Sequence, residues 1–175
     1  KRVHLGVDPF RVPEAAARAV PTLGLSGRVF TSWDLAGFVE WALPGSPVYA
    51  DPRLLAYPPE VFTALSKAEE SQAAFDALMD QHQVAWAFRS HRVLRMSGLG
   101  RFPREKLALL HWDEAAAIYV RRDLLGDRTE LKFFLPAAPV LESFTGLKGA
   151  DHETWWREAS AAAQQSPLLA TAQVA

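Results

Sequence analysis

The sequence predicts an α/β fold: a sandwich of three layers built on a mostly parallel sheet, with a C-terminal antiparallel hairpin and a helical tail. Three observations predict it. Short β-branched and aromatic runs alternate with helix-forming segments from Val3 to Phe88, the pattern of strands joined by crossover helices. Two apolar runs, Leu107 to Trp112 and Ala115 to Arg121, flank the acidic pair Asp113-Glu114, as in a hairpin. The chain has 175 residues, 49% hydrophobic and 22% charged, which suits one globular domain, burying roughly 70% of its unfolded surface, plus a tail.

The elements follow in order. Val3 to Val7 is strand-like and stops at Asp8-Pro9. Pro13 to Leu23 reads as a helix, since Pro suits a first turn and the segment is rich in Ala, with Pro21 near its end. Arg28 to Ser32 is the second strand. Asp34 to Leu43 is the next helix, capped by Ser32 or Asp34 and ended by Leu43-Pro-Gly-Ser-Pro47. Val48 to Ala50 is a third strand, stopped by Asp51-Pro52. Pro58 and Pro59 open a helix bearing Val61, Phe62 and Leu65. Ser71 to His82 is another, with Phe75, Leu78 and Met79 inward. Val84 to Phe88 is the fourth strand, and residues 89–105 form a loop.

This order of crossovers predicts Rossmann-like layering, with helices on both faces of the sheet. The divisions are an α/β domain over residues 1–125, a linker or extra strand over 126–150 (Leu131 to Leu135 is the strand candidate), and a helical tail over 151–175. Trp86 and Trp112 are expected in the core.

Composition excludes several functions. Nineteen basic and 20 acidic residues leave a net charge of −1, so no basic excess supports nucleic-acid binding. There is no cysteine, hence no disulfide, thiolate metal site or Cys nucleophile. The five His residues make no metal-ligand spacing, no nucleophile elbow occurs, and Gly98-Leu-Gly100 lacks the third glycine of a dinucleotide fingerprint. The residues therefore predict no metal and no cofactor. No apolar run reaches the ~18 residues of a membrane span. The chain starts at Lys1, without Met, directly before a strand-like run, and a fragment of a longer, membrane-anchored protein is expected.

Ligands of open parallel sheets collect at the carboxyl ends of the strands. The polar and aromatic residues there, or just beyond, are Trp33, Asp34, Asp51, Arg53, Tyr57 and His91. They are the candidate ligand-binding residues, and none is assigned a catalytic role. Asp51 and Arg53 are also expected to pair across the Pro52 turn, because a carboxylate at the rim of a sheet is costly without a partner.

Four segments carry a resemblance: GRVFTSWDLAGFVEWALPGSPVYADPR, YPPEVF, FDALMDQHQVAWAF and AAAIYVRRD. From Gly27 to Arg122 the chain resembles the extracytoplasmic C-terminal domain of bacterial polytopic membrane glycosyltransferase-like proteins, the dolichyl-phosphate-mannose mannosyltransferase-like class. Asp51-Pro52-Arg53 stands where that pattern has Asp-Gly-Arg, and Gln83-Val84-Ala85 where it has Gly-Val-Asp. The resemblance implies a non-catalytic, soluble accessory domain on the periplasmic side of the inner membrane. Its implied partners are the membrane-embedded part of its own parent chain and a saccharide or lipid-linked sugar. Transfer chemistry would belong to the membrane part. Two alternatives are a free-standing Rossmann-like enzyme acting on a sugar or nucleotide, and an interaction module that forms a homodimer.

Overall fold

The computed structural model describes residues 11–53, 57–90, 106–113, 115–131 and 153. The elements are α1 (Glu14–Thr22), β1 (Arg28–Thr31), α2 (Ala36–Ala42), α3 (Pro59–Glu70), α4 (Gln72–Gln81), β2 (Val84–Ser90), β3 (Leu107–Trp112) and β4 (Ala116–Arg121). A 3-10 turn follows at Arg122–Leu124. The predicted strand at residues 3–7, most of the 89–105 loop, and the linker and tail beyond Leu131 lie outside the described residues, apart from Glu153.

The sheet order is β1-β2-β4-β3. β1 and β2 are parallel, whereas β4 is antiparallel to both β2 and β3. The hairpin falls where the acidic turn predicts it. The sheet as described is mixed, which corrects the mostly parallel expectation. Part of the reason is the segment after Pro47. Only one parallel bridge, Val29 to Val48, joins it to β1. Val29 N–H donates to Pro47 O and Tyr49 N–H to Val29 O, at 3.0 and 2.9 Å. Pro47 has no N–H, and Asp51-Pro52 bends the chain away, so three apolar residues never lengthen into a ladder.

Alternation along the strands divides the core into two clusters on opposite faces. On one face Val29, Trp86, Phe88, Ile118 and Val120 meet Ala16 and Val20 of α1 and Val39 of α2. On the other, Phe30 and Ala87 meet Leu65 and Ala68 of α3 and Phe75, Leu78 and Met79 of α4. Trp86 and Trp112 are buried as expected.

Two irregularities change this parity. The β1–β2 register shifts between Arg28 and Val29, so Val84 joins the second cluster while Trp86 joins the first. The β3–β4 register shifts between Leu109 and His111. An extra residue in one strand turns the following side chains over.

Helix boundaries show what caps and what does not. Ser71 caps α4 through its hydroxyl, which accepts from Ala74 N–H. α2 has Leu35 as its N-cap residue, with no side-chain cap. Ser32 and Asp34 thus do not cap it, contrary to expectation. The chain makes a full turn over residues 33–35, closed by Leu35 N–H on Ser32 O at 3.0 Å. The Ser32 hydroxyl accepts instead from Ser90 N–H at 3.3 Å. Arg89 and Ser90 extend β2 two residues beyond the predicted strand end. At the other end of β2, Gln83 follows α4 with φ of 50°, a left-handed conformation that favours glycine just past a helix.

Candidate functional site

The carboxyl end of the segment beside β1 carries a closed polar cluster. Ala50 is buried in the second core cluster, and the next residue, Asp51, is 1% exposed. Its carboxylate needs partners, and four donors supply them. Asp51 Oδ1 accepts from the Arg53 backbone N–H and from Arg53 Nε, both at 2.8 Å. Asp51 Oδ2 accepts from Arg53 Nη2 and from the Tyr57 hydroxyl, both at 2.5 Å. Proline at 52 holds its own φ near −65° and favours extended backbone at Asp51. That stiffness lets Arg53 fold back on its neighbour.

The cluster reaches across layers. Arg53 Nη2 also donates to Glu40 Oε1 of α2 at 3.0 Å. Tyr57 packs edge-on against Phe62 of α3, with centroids 6.2 Å apart, and Trp33 packs on the same ring at 5.4 Å. The structure therefore gathers Trp33, Asp51, Arg53 and Tyr57, four of the six candidate residues. Asp34 is exposed and stands outside the cluster. His91 lies outside the described residues.

Two members were missed by sequence reasoning. Phe62 was assigned only to the apolar face of its helix. Glu40 lies 13 residues before Arg53. Its one local signal is a carboxylate within an otherwise uncharged helix.

The hydrogen bonds from Arg53 hold the Asp51 carboxyl well below its ordinary range, outweighing the burial that pushes it upward; the Tyr57 hydroxyl lowers it further. The same contacts push Arg53 above its ordinary value, and the Asp51 carboxylate pushes the Tyr57 phenol up. Asp51 is thus an anion at neutral pH, with both oxygens doubly occupied. It cannot take a proton from a substrate without first releasing Arg53 or Tyr57. Arg53 differs: its side chain is 67% exposed. Its charge is already met by Asp51 and Glu40, so what it leaves at the surface is the exposed part of a guanidinium, a hydrogen-bond donor.

Among the described residues no three His, Asp or Glu side chains are placed to hold a metal ion. Among them, too, no helix is long and apolar enough to cross a membrane. Comparison with known proteins adds no relative: no family model, curated protein or solved structure matches the chain.

Proposed function

We propose that this chain is a non-catalytic recognition domain with Rossmann-like three-layer architecture, the extracytoplasmic accessory domain of a membrane glycosyltransferase-like protein. The observation that carries the non-catalytic part is the saturation of Asp51. Its four short hydrogen bonds leave a structural anchor where an enzyme would need an available base. Two further features support the resemblance. Asp51 and Arg53 pair across residue 52, the position of the glycine in the Asp-Gly-Arg pattern. Gln83 adopts a left-handed backbone at the position where the pattern carries glycine.

In this reading the ligand is a saccharide or the sugar-phosphate head of a lipid-linked donor. Arg53, shared between Asp51 and Glu40, offers the ligand guanidinium N–H donors rather than a net positive charge, and Trp33 an apolar edge to the sugar ring. The membrane-embedded part of the parent chain performs the transfer.

The test is calorimetric titration of the purified chain with mannosyl phosphate and with free mannose, alongside an assay for sugar release. Binding without turnover, weakened in Arg53→Ala and Trp33→Ala, is the expected result. Turnover by the isolated chain would replace the proposal with an enzyme. Absence of binding to either probe would remove the recognition role.

A further inference from the structure

The outer side of α2 carries an aromatic surface that the described residues leave open. Ala36, Val39 and Leu43 are buried and fix the inward side of this helix. At about 100° per residue, the opposite side is made by Gly37, Phe38 and Trp41. Trp41 is 78% exposed, more than any other large hydrophobic side chain among the described residues. Phe38 is half-buried against the first core cluster. Its ring props that of Trp41, with centroids 6.2 Å apart and planes at 47°. By leaning toward Phe38, Trp41 leaves Gly37 uncovered, one turn nearer the start of the helix.

Among the described residues, Gly37 answers to no internal need. It is not one of the glycines with left-handed φ, which are Gly24, Gly27 and Gly126. A Cβ built on it would meet no described atom within 4 Å. Neither backbone conformation nor close packing therefore requires glycine here, and glycine is a poor helix former. The absent side chain leaves a notch open to solvent beside a projecting indole. Since α2 spans Ala36–Ala42, Gly37 and Trp41 stand at equal distances from its midpoint, Val39. A two-fold axis at that level lays two α2 helices antiparallel and sets each Trp41 over the other's Gly37. That is the isologous condition, a patch complementary to itself. No charged side chain stands on this side of the helix. Glu40 lies on its flank, held by Arg53 at 3.0 Å, so two copies meet without opposing like charges.

We propose that the Gly37, Phe38 and Trp41 face of α2 docks a second copy of this chain, giving a symmetric, transient dimer. Its strength follows from its size. A seven-residue helix offers a face that buries well below the roughly 1,200 Å² of a stable interface. The dissociation constant should therefore be on the order of 0.1–1 mM. A lipid surface fits the face less well, because no lysine or arginine stands on it to meet anionic headgroups. The proposal does not depend on what the Asp51 cluster binds, since the contact leaves the Glu40–Arg53 pair in place.

The test is sedimentation equilibrium of the whole 175-residue chain, with amide and indole chemical shifts followed over the same concentrations. A range from about 10 μM to about 1 mM reaches the expected constant. The mean mass should rise with concentration, and the signals of Gly37, Phe38 and the Trp41 indole should move with it. Trp41→Ala removes the projecting ring and should weaken association about tenfold or more. Gly37→Leu fills the notch and should weaken it as much, although it adds apolar surface. A merely sticky patch predicts the opposite for that variant. Both positions are exposed, so both variants should fold as the wild type does, which urea unfolding checks. A wild-type chain that stays monomeric at the highest concentration would overturn the proposal. Undiminished association in Trp41→Ala would place the contact elsewhere, and in Gly37→Leu would remove the notch from it; either overturns the proposal. A Trp41 indole signal that moves on adding phosphatidylcholine vesicles, while the mass stays monomeric, would give the face to a lipid surface and overturn it as well.

Discussion

Asp51, after the short segment beside β1, and Asp113, after β3, are both buried carboxylates, and the chain stabilises them in different ways. Asp51 is satisfied mostly by side chains: the guanidinium of Arg53 and the phenol of Tyr57, with one backbone N–H. Asp113 turns its Oδ1 to the backbone N–H groups of Ala115 and Ala116, both at 2.9 Å, and its Oδ2 to His111 Nε2 at 3.1 Å. Burial pushes the Asp113 carboxyl up, but the bonds from His111 and the two N–H groups outweigh it, and it ends below its ordinary value. The difference lies in what each carboxylate leaves behind when it is removed. Arg53 is largely exposed and can turn to water. Ala115 and Ala116 are buried, at 5% and 0% exposure, and their N–H groups have no such exit.

The largest expected effect follows from that. Asp113→Ala should destabilise the fold by about 2–3 kcal/mol, the upper part of the cost of orphaned buried donors. Asp113→Asn should recover most of the loss, because an amide oxygen still accepts from both N–H groups. Asp51→Ala should cost about 1–2 kcal/mol, since its main partner rehydrates. Urea unfolding of the three variants measures both, and equal losses for the two alanine variants would erase the distinction.

The acid limb of stability comes next. Both carboxyls have folded values below the ordinary 3.8. In that window the unfolded chain binds protons that the folded chain refuses. Their contribution is therefore complete above about pH 4 and is lost as pH falls through the folded values. Denaturant midpoints between pH 6 and pH 2 should fall less steeply in Asp51→Ala than in wild type. Parallel curves would remove Asp51 from the acid transition.

The smallest effect sharpens the description of the clamp itself. Tyr57→Phe removes one hydrogen bond to Asp51 and keeps the contact with Phe62, so about 0.5–1 kcal/mol should be lost. Arg53→Ala should also destabilise, and Asp51→Ala combined with it should lose less than the two changes do separately, as a shared interaction requires. Simple additivity would mean that the two residues act apart.

The sequence carried the local part of this. Asp51 and Arg53 are two residues apart with proline between them, so their pairing is legible from spacing alone. The hairpin is legible for the same reason. What depends on distant pairing was not visible. The bond from Ser90 to the Ser32 hydroxyl crosses 58 positions, and it removes Ser32 from the capping role its position suggests. Asp34 reads as a cap by residue type, yet it lies within the turn over residues 33–35, one residue before the Leu35 N-cap. The register shifts in β2 and β3 leave no local mark, because they exist only relative to a partner strand. His111 was read only as a failed metal ligand. Its contact with Asp113 is two residues away in a strand-to-turn step, a spacing shared by many residues that never meet.

The strand pairing also sets the order in which the sheet can assemble. β3 and β4 join residues about ten apart, such as Leu109 and Tyr119, whereas β1 and β2 join Val29 to Trp86 across 57 positions. A hairpin closes in about 1–10 μs, while the parallel ladder must wait for α2, α3 and α4 to condense between its two strands. The ladder between β2 and β4 is then the seam along which an early hairpin meets a late crossover unit. Since, among the described residues, the segment ending in Asp51 reaches the sheet through β1, the clamp forms with the late unit. Weakening it should chiefly speed unfolding and leave the refolding rate little changed.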